Sequence, residues 1–149
     1  MEFRITSKVK LDQLQRILYG ESLRDAVFVE KVGKELVESS KVEYDVLLLK
    51  EKDIFGLRDY VKTPSFLIQK HDELRGIDKF SVKLQSQNPK FDTIILRFSP
   101  KDEVNLPKFL KIFQDTFKHY NLMEPFDRIE KAIELLNERE EDVEYRKSV

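Results

Sequence analysis

The segment from residue 80 to residue 120 constrains the fold of this chain more than any other part of the sequence. Two apolar runs, 80–84 and 91–98, flank a Gln-Asn-Pro sequence, which indicates two paired strands. Apolar side chains then recur three or four positions apart, at Leu106, Phe109, Leu110, Phe113, Phe117 and Tyr120. This spacing is typical of an amphipathic helix. The segment therefore predicts a β-hairpin followed by a helix.

Two registers of this hairpin place like residues on the same face, because side chains alternate between the faces of a strand. Val82 opposite Ile94 gives a tight turn, whereas Val82 opposite Leu96 needs a looser loop. In either register, one face carries Phe80, Val82, Ile94, Leu96 and Phe98. The other face carries Lys83, Thr93, Ile95 and Arg97. We expect the N-terminal helices to cover this mixed face; if they do not, it is the best candidate binding surface.

Shorter patterns predict further elements before and after the hairpin. Helical spacing runs through much of residues 11–38, interrupted by a helix stop at Gly20. Alternation over residues 42–49 and the apolar run 66–68 predict two more strands. Pro125 is placed to open a last helix.

Helices at both ends of a block of strands are the pattern of an α+β fold, with helices packed on a sheet. We therefore predict a single α+β domain over residues 1–149. Its sheet is expected to be mostly antiparallel, with about four to five strands, and covered by the N-terminal and C-terminal helices. Residues 140–149 are predicted to form a flexible acidic tail.

The composition excludes several kinds of chemistry. The chain has no cysteine, which removes disulfides, thiolate metal sites and cysteine nucleophiles. Its four glycines are scattered, so no glycine-rich phosphate loop is predicted, and we expect no cofactor. No apolar run approaches the ~20 residues of a membrane helix, and the N-terminus lacks a signal-peptide pattern. We therefore expect a cytoplasmic protein without membrane contact. The abundance of Lys and Glu resembles thermophile composition.

The charges are distributed unevenly although the net charge is only -1. Residues 62–118 contain 11 Lys and Arg against 7 Asp and Glu, whereas residues 119–149 contain 5 against 9. A basic surface of hairpin and helix would contact phosphates, so direct nucleic-acid binding is one candidate function. The residues predicted for it are Lys83, Arg97, Lys108, Lys111 and Lys118. The alternative interpretation is that these are solvated side chains opposite an apolar stripe.

One short cluster has the composition of a metal or acid–base site. His71 and Asp72 follow a predicted strand, and an imidazole beside carboxylates can bind a divalent metal. Glu43 and Asp45 are further candidate carboxylates for a metal-dependent hydrolase or nuclease. Adjacent side chains point in different directions, however, and no second histidine lies nearby in the sequence. A solvated polar turn is the competing interpretation, and no metal site is predicted.

The last helix carries a narrow apolar stripe, formed by Phe126, Ile129, Ile133 and Leu136. This stripe either docks on its own domain or contacts a protein partner or a second copy of the chain. With no catalytic signature, the sequence favours a protein that is not an enzyme. We predict a non-catalytic binding protein or accessory subunit acting through protein–protein contacts, in a setting such as a nucleic-acid-processing assembly.

Overall fold

The computed structural model describes residues 2–6, 11–23 and 25–148, with side chains for all of these except residue 25 and residues 141–148. The strands of the described part are β1 (Leu47–Leu49), β2 (Ser65–Lys70), β3 (Ser81–Leu84) and β4 (Ile94–Phe98). Its α-helices are α1 (Gln13–Tyr19), α2 (Lys34–Ser39), α3 (Leu106–Phe117) and α4 (Glu124–Ser148). A π-helix (Asp25–Gly33) leads into α2, and 3₁₀ helices span Gly20–Ser22, Lys52–Asp59 and Pro100–Asn105.

The strands form one sheet in the order β1-β2-β4-β3. β4 pairs antiparallel with both β2 and β3, whereas β1 pairs parallel with β2. The 3₁₀ helix Lys52–Asp59, called the crossover helix below, makes the connection that a parallel pair requires. The predicted α+β fold is confirmed, and the four strands agree with the expected number. The sheet is mixed rather than mostly antiparallel, because β1 is parallel to its neighbour.

The hairpin adopts the looser of its two predicted registers. Val82 lies opposite Leu96, and Leu84 lies opposite Ile94. The backbone N–H of Phe98 donates to the carbonyl of Phe80 at 2.9 Å, which extends the same register by one residue pair. Residues 85–93 therefore form a long loop instead of a tight turn. The predicted division of the two faces holds in this register.

The first face of the sheet carries the larger part of the hydrophobic core. Buried side chains from β2, β3 and β4 pack here against Phe109, Phe113 and Phe117 of α3, with Leu122 and Met123 just before α4. The sheet supplies Phe66, Ile68, Leu84, Ile94, Leu96 and Phe98. The spacing of the phenylalanines on α3 therefore places all three on the helix face that covers the sheet.

The second face has an apolar cover over β1 and β2. Leu49 of β1 and Leu67 of β2 are buried there against Leu57 of the crossover helix and Val29 of the π-helix. This smaller core is continuous with the partly buried Ile54 and Phe55. In the part of the chain that the structure describes, this buried cluster does not extend over β3 and β4.

A buried ion pair joins the crossover helix to the segment that precedes α3. The guanidinium of Arg58 donates through Nε to Asp102 Oδ2 and through Nη2 to Asp102 Oδ1, each at 2.9 Å. Arg58 Nη1 also donates to the carbonyl of Val61 at 2.9 Å. Asp102 is 1% exposed, and its hydrogen bonds raise the pKa of Arg58. This bidentate arrangement fixes the crossover helix relative to α3.

The end of α1 and the length of α4 can be compared with the sequence predictions. Gly20 ends α1 with a φ of 52°, in agreement with the predicted helix stop, because a side chain is strained at this backbone angle. At the other end, the backbone is helical through Ser148, so α4 includes most of the segment expected to be a tail. The flexibility of residues 140–148 stays a prediction, and residue 149 lies outside the described residues.

Candidate functional site

The uncovered half of the second face is a mixed surface of apolar and charged side chains. Strand pairing produces two cross-strand rows on this face, Leu67–Arg97–Ser81 and Gln69–Ile95–Lys83. Leu67 is buried under the crossover helix, whereas Arg97 and Lys83 are exposed. The surface therefore changes from covered to open between β2 and β4. This is the face that the sequence singled out as the best candidate binding surface if left bare.

Arg97 is held in place on this surface by two neighbours. Its guanidinium carbon lies 5.8 Å from the centre of the Phe55 ring, in a cation–π arrangement. Its Nη2 lies 3.8 Å from Asp78 Oδ2 in the loop between β2 and β3. Asp78 is itself fixed, because its Oδ1 accepts hydrogen bonds from Ser81 Oγ at 3.0 Å and from the backbone N–H of Phe80 at 2.9 Å. Arg97 therefore lies near both an aromatic ring and a carboxylate.

A cleft of about 310 Å³ lies between this surface, the loop after β2 and the start of the crossover helix. We call it the cationic cleft, because its walls contain Lys52, Lys70, Arg75 and Arg97. Two carboxylates also line it: Asp72, 3.6 Å from Arg75, and Asp78. Lys52 and Lys70 have no carboxylate partner among the side chains that the structure describes. Lys52, Lys70 and Arg75 are not among the site residues predicted from the sequence.

The residues predicted for nucleic-acid binding are not brought together by the fold. Lys83 and Arg97 belong to the second face of the sheet, whereas Lys108 and Lys111 lie on α3, which covers the first face, and Lys118 directly follows α3. Lys118 is also paired with Asp115 of α3, at 3.2 Å. A single nucleic-acid strand lying on one face would meet only one of the two groups.

The candidate metal ligands likewise lie in different surroundings. Nδ1 of His71 is buried and has no hydrogen-bond partner among the described atoms. The Asp72 carboxylate faces Arg75 and accepts the backbone N–H of Leu74 at 3.0 Å. Glu43 and Asp45 are exposed and precede β1. No group of three or more His, Asp and Glu side chains in the described part of the chain is arranged to hold a metal ion.

Helix α4 is anchored to the domain in its first two turns. Phe126 packs against the main core, and Lys50 forms an ion pair with Glu130 that raises the pKa of the Lys50 amine. Two residues of the predicted stripe reach solvent, since Ile129 is 43% exposed and Ile133 36%. The predicted stripe residue Leu136 is half-buried. Its neighbour Leu135, which the sequence analysis did not single out, is 49% exposed.

A second, mostly apolar groove adjoins the start of α4. It has a volume of about 530 Å³, and its apolar lining includes Leu48, Phe91, Tyr120 and Leu122. Tyr120 is 71% exposed. Pro125 and Arg128 also line this groove, which places it against the first two turns of α4.

The helices in the described part of the chain include none with both the length and the apolar character needed to span a bilayer. α4 is long enough at 25 residues, but acidic and basic side chains occur throughout its sequence.

Comparisons with models of known protein families, with curated proteins and with solved structures find no match for this chain. A function can therefore be inferred only from the chain's own residues. Two surface features are candidates for binding: the apolar stripe of α4, formed by Phe126, Ile129, Ile133 and Leu136, and the cationic cleft.

Proposed function

We propose that this chain is a non-catalytic binding protein or accessory subunit that acts through protein–protein contacts made by α4. The observation that carries the proposal is the exposure of Ile129 and Ile133 on a helix whose first turns are anchored to the core. Burying a fully exposed isoleucine contributes about 1.5–3 kcal/mol, so covering the 43% and 36% of Ile129 and Ile133 that remain exposed contributes roughly 1–2.5 kcal/mol in total. Fixed at one end and apolar along one side, α4 suits helix-in-groove recognition.

The surroundings of the stripe support a protein as the partner. Acidic and basic side chains flank it along α4, with Glu130 and Glu134 beside Lys131 and Arg139. An apolar centre within a charged rim is the usual composition of a transient protein interface. The apolar groove at Phe91 and Tyr120 lies next to the first turns of α4 and can extend the contact area.

Replacing Ile129 and Ile133 together with glutamate is expected to weaken partner binding by roughly 100-fold, because two apolar anchors become charged. Glutamate is a good helix former, so circular dichroism should remain unchanged. Sedimentation equilibrium measures self-association, and co-purification with the tagged protein from its own cells measures association with another protein.

Ile112→Glu is the matched control, since this isoleucine is 47% exposed but lies on α3. It should associate like the unaltered protein. The proposal would be contradicted by a protein that stays monomeric and recovers the same set of proteins whether or not Ile129 and Ile133 are replaced.

A further inference from the structure

We propose that α1 of one copy of the chain packs on α4 of a second copy, so that the apolar stripes of the two helices cover each other. This inference rests on the proposed function, because it takes α4 as the element that makes the contact and names its partner. In a two-fold symmetric dimer each chain supplies both helices, so the contact is made twice.

Helix α1 leaves an apolar stripe in contact with solvent. Leu14, Ile17 and Leu18 are 63%, 69% and 74% exposed. Their spacing of three and four residues places them on one side of the helix. No residue of α1 is buried. Neighbouring apolar side chains that are exposed to this degree indicate an interaction site.

The ends of α1 are determined by its own sequence. Asp12 Oδ1 accepts a hydrogen bond from the backbone N–H of Gln15 at 2.7 Å, and Gln15 Oε1 accepts one from the backbone N–H of Asp12 at 3.2 Å. This capping box begins the helix, and Gly20 ends it. At seven residues, however, α1 is too short to be stable in water without packing. A surface that covers the stripe would supply this packing.

The exposed part of the α4 stripe has the spacing that such a contact needs. Ile129 and Ile133 are four residues apart, as are Leu14 and Leu18, so each pair spans about 6 Å along its helix. Two such pairs can interdigitate when the helices lie side by side. The stripes do not cover each other within one chain, since Ile133 is 36% exposed and the other three side chains are more exposed. A second copy can bring them together.

The charges of the two segments favour α1 with α4 over a pair of identical helices. Residues 8–16 contain three Lys and Arg against one Asp, whereas residues 134–142 contain five Asp and Glu against one Arg. Packing α1 on α1 would bring two basic segments together, and packing α4 on α4 would bring two acidic segments together. Opposite charges across a contact select the mixed pair.

The same charges favour an antiparallel direction. The two lysines of residues 8–10 precede α1, and the four carboxylates of residues 138–142 follow the α4 stripe. Antiparallel packing of Leu14 on Ile133 brings these two ends of opposite charge together. Parallel packing would instead bring Glu21, which follows α1, towards the acidic end of the stripe.

The test is crosslinking of the full chain through introduced cysteines, which is specific because the chain has none of its own. Tagged Leu14→Cys protein is mixed with untagged Ile133→Cys protein and treated with a short bis-maleimide. Side chains held in one complex meet at a high effective concentration, so this pair should give about tenfold more crosslinked heterodimer than the control pair. The control is Leu14→Cys mixed with Ile112→Cys, since Ile112 is 47% exposed on α3.

Sedimentation equilibrium tests the pairing by complementation. The Leu14→Glu, Leu18→Glu double variant and the Ile129→Glu, Ile133→Glu double variant should each dimerise roughly 100-fold more weakly than the unaltered protein. A mixture of the two retains one intact contact, between the unaltered α1 of one chain and the unaltered α4 of the other. It should therefore associate about tenfold more tightly than either variant alone.

Circular dichroism shows whether each variant is folded, and the cysteine variants decide the question if a glutamate variant is not. The proposal is overturned if the unaltered protein sediments as a monomer at every concentration tested. It is also overturned if Leu14→Cys with Ile133→Cys gives no more heterodimer than the control pair. In that case, a crosslink from Ile133→Cys to itself or to another protein would leave the proposed function of α4 standing.

Discussion

Replacing Phe66 with alanine is expected to lower the free energy of unfolding by about 3–5 kcal/mol. Phe66 is 0% exposed and lies in β2, between β1 and β4. Its ring meets Phe109 at 5.6 Å and Phe113 at 5.2 Å between centroids, both edge-on. Alanine would remove both ring contacts and leave a cavity between the sheet and α3 that the neighbouring strands cannot fill. Urea unfolding followed by circular dichroism measures the loss.

Tyr120→Ala is the control for this experiment. Tyr120 is 71% exposed just beyond α3, so its removal should change the free energy of unfolding by no more than about 0.5 kcal/mol. A loss below about 1 kcal/mol for Phe66→Ala would contradict the placement of Phe66 at the centre of the main core.

Replacing Asp102 with alanine is expected to destabilise the protein by about 3–5 kcal/mol. The guanidinium of Arg58 would then remain largely buried without the carboxylate that accepts its two 2.9 Å hydrogen bonds. Because this pair joins the crossover helix to the start of α3, its loss should also loosen the cover of β1 and β2. Chemical denaturation measures the first effect, and hydrogen exchange of Leu49 and Leu67 measures the second.

A double replacement separates the cost of an unpaired charge from the value of the pair. Arg58→Met with Asp102→Leu should recover most of the lost stability, because apolar pairs often replace buried ion pairs without loss. Asp59→Ala is the surface control. Asp59 pairs with Lys101, which lowers the pKa of Asp59, but both side chains are exposed. This variant should lose far less stability than Asp102→Ala; an equal loss would contradict the importance of burial.

The sequence predicted the faces of the hairpin but did not determine its register. Registers that differ by two residues place the same side chains on the same faces, so alternation cannot distinguish them. The long loop is stabilised by tertiary contacts instead. Phe91 stacks on Phe117 of α3 with ring centroids 5.8 Å apart, and Ser86 Oγ donates to the Phe117 carbonyl. These contacts join residues that local patterns cannot relate.

The length and direction of β1 were also beyond what alternation in the sequence can predict. Alternation over residues 42–49 predicts a strand, yet only Leu47–Leu49 forms one. The pairing begins where the Leu47 N–H donates to the Pro64 carbonyl, and Pro64 has no N–H with which to continue the ladder. The parallel direction of this pair was not predictable either, because alternation is the same for both strand directions.

The candidate sites differ in how far the sequence could identify them. The α4 stripe was visible as helical spacing within one element. The cationic cleft was not, because Lys52, Lys70 and Arg75 come from the crossover helix, the end of β2 and the following loop. These segments come next to Arg97 only after the sheet order β1-β2-β4-β3 is formed. The same topology separates Arg97 from the lysines of α3.

A photo-reactive amino acid at position 133, compared with the same group at position 112, tests the role of α4 most directly. Both sites are exposed isoleucines on helices, so nonspecific labelling should be equal. Irradiation in the cells that make the protein should give a discrete crosslinked species from position 133, either a dimer or a complex with one other protein, and none from position 112. Equal or absent crosslinking at the two positions would contradict partner binding by α4.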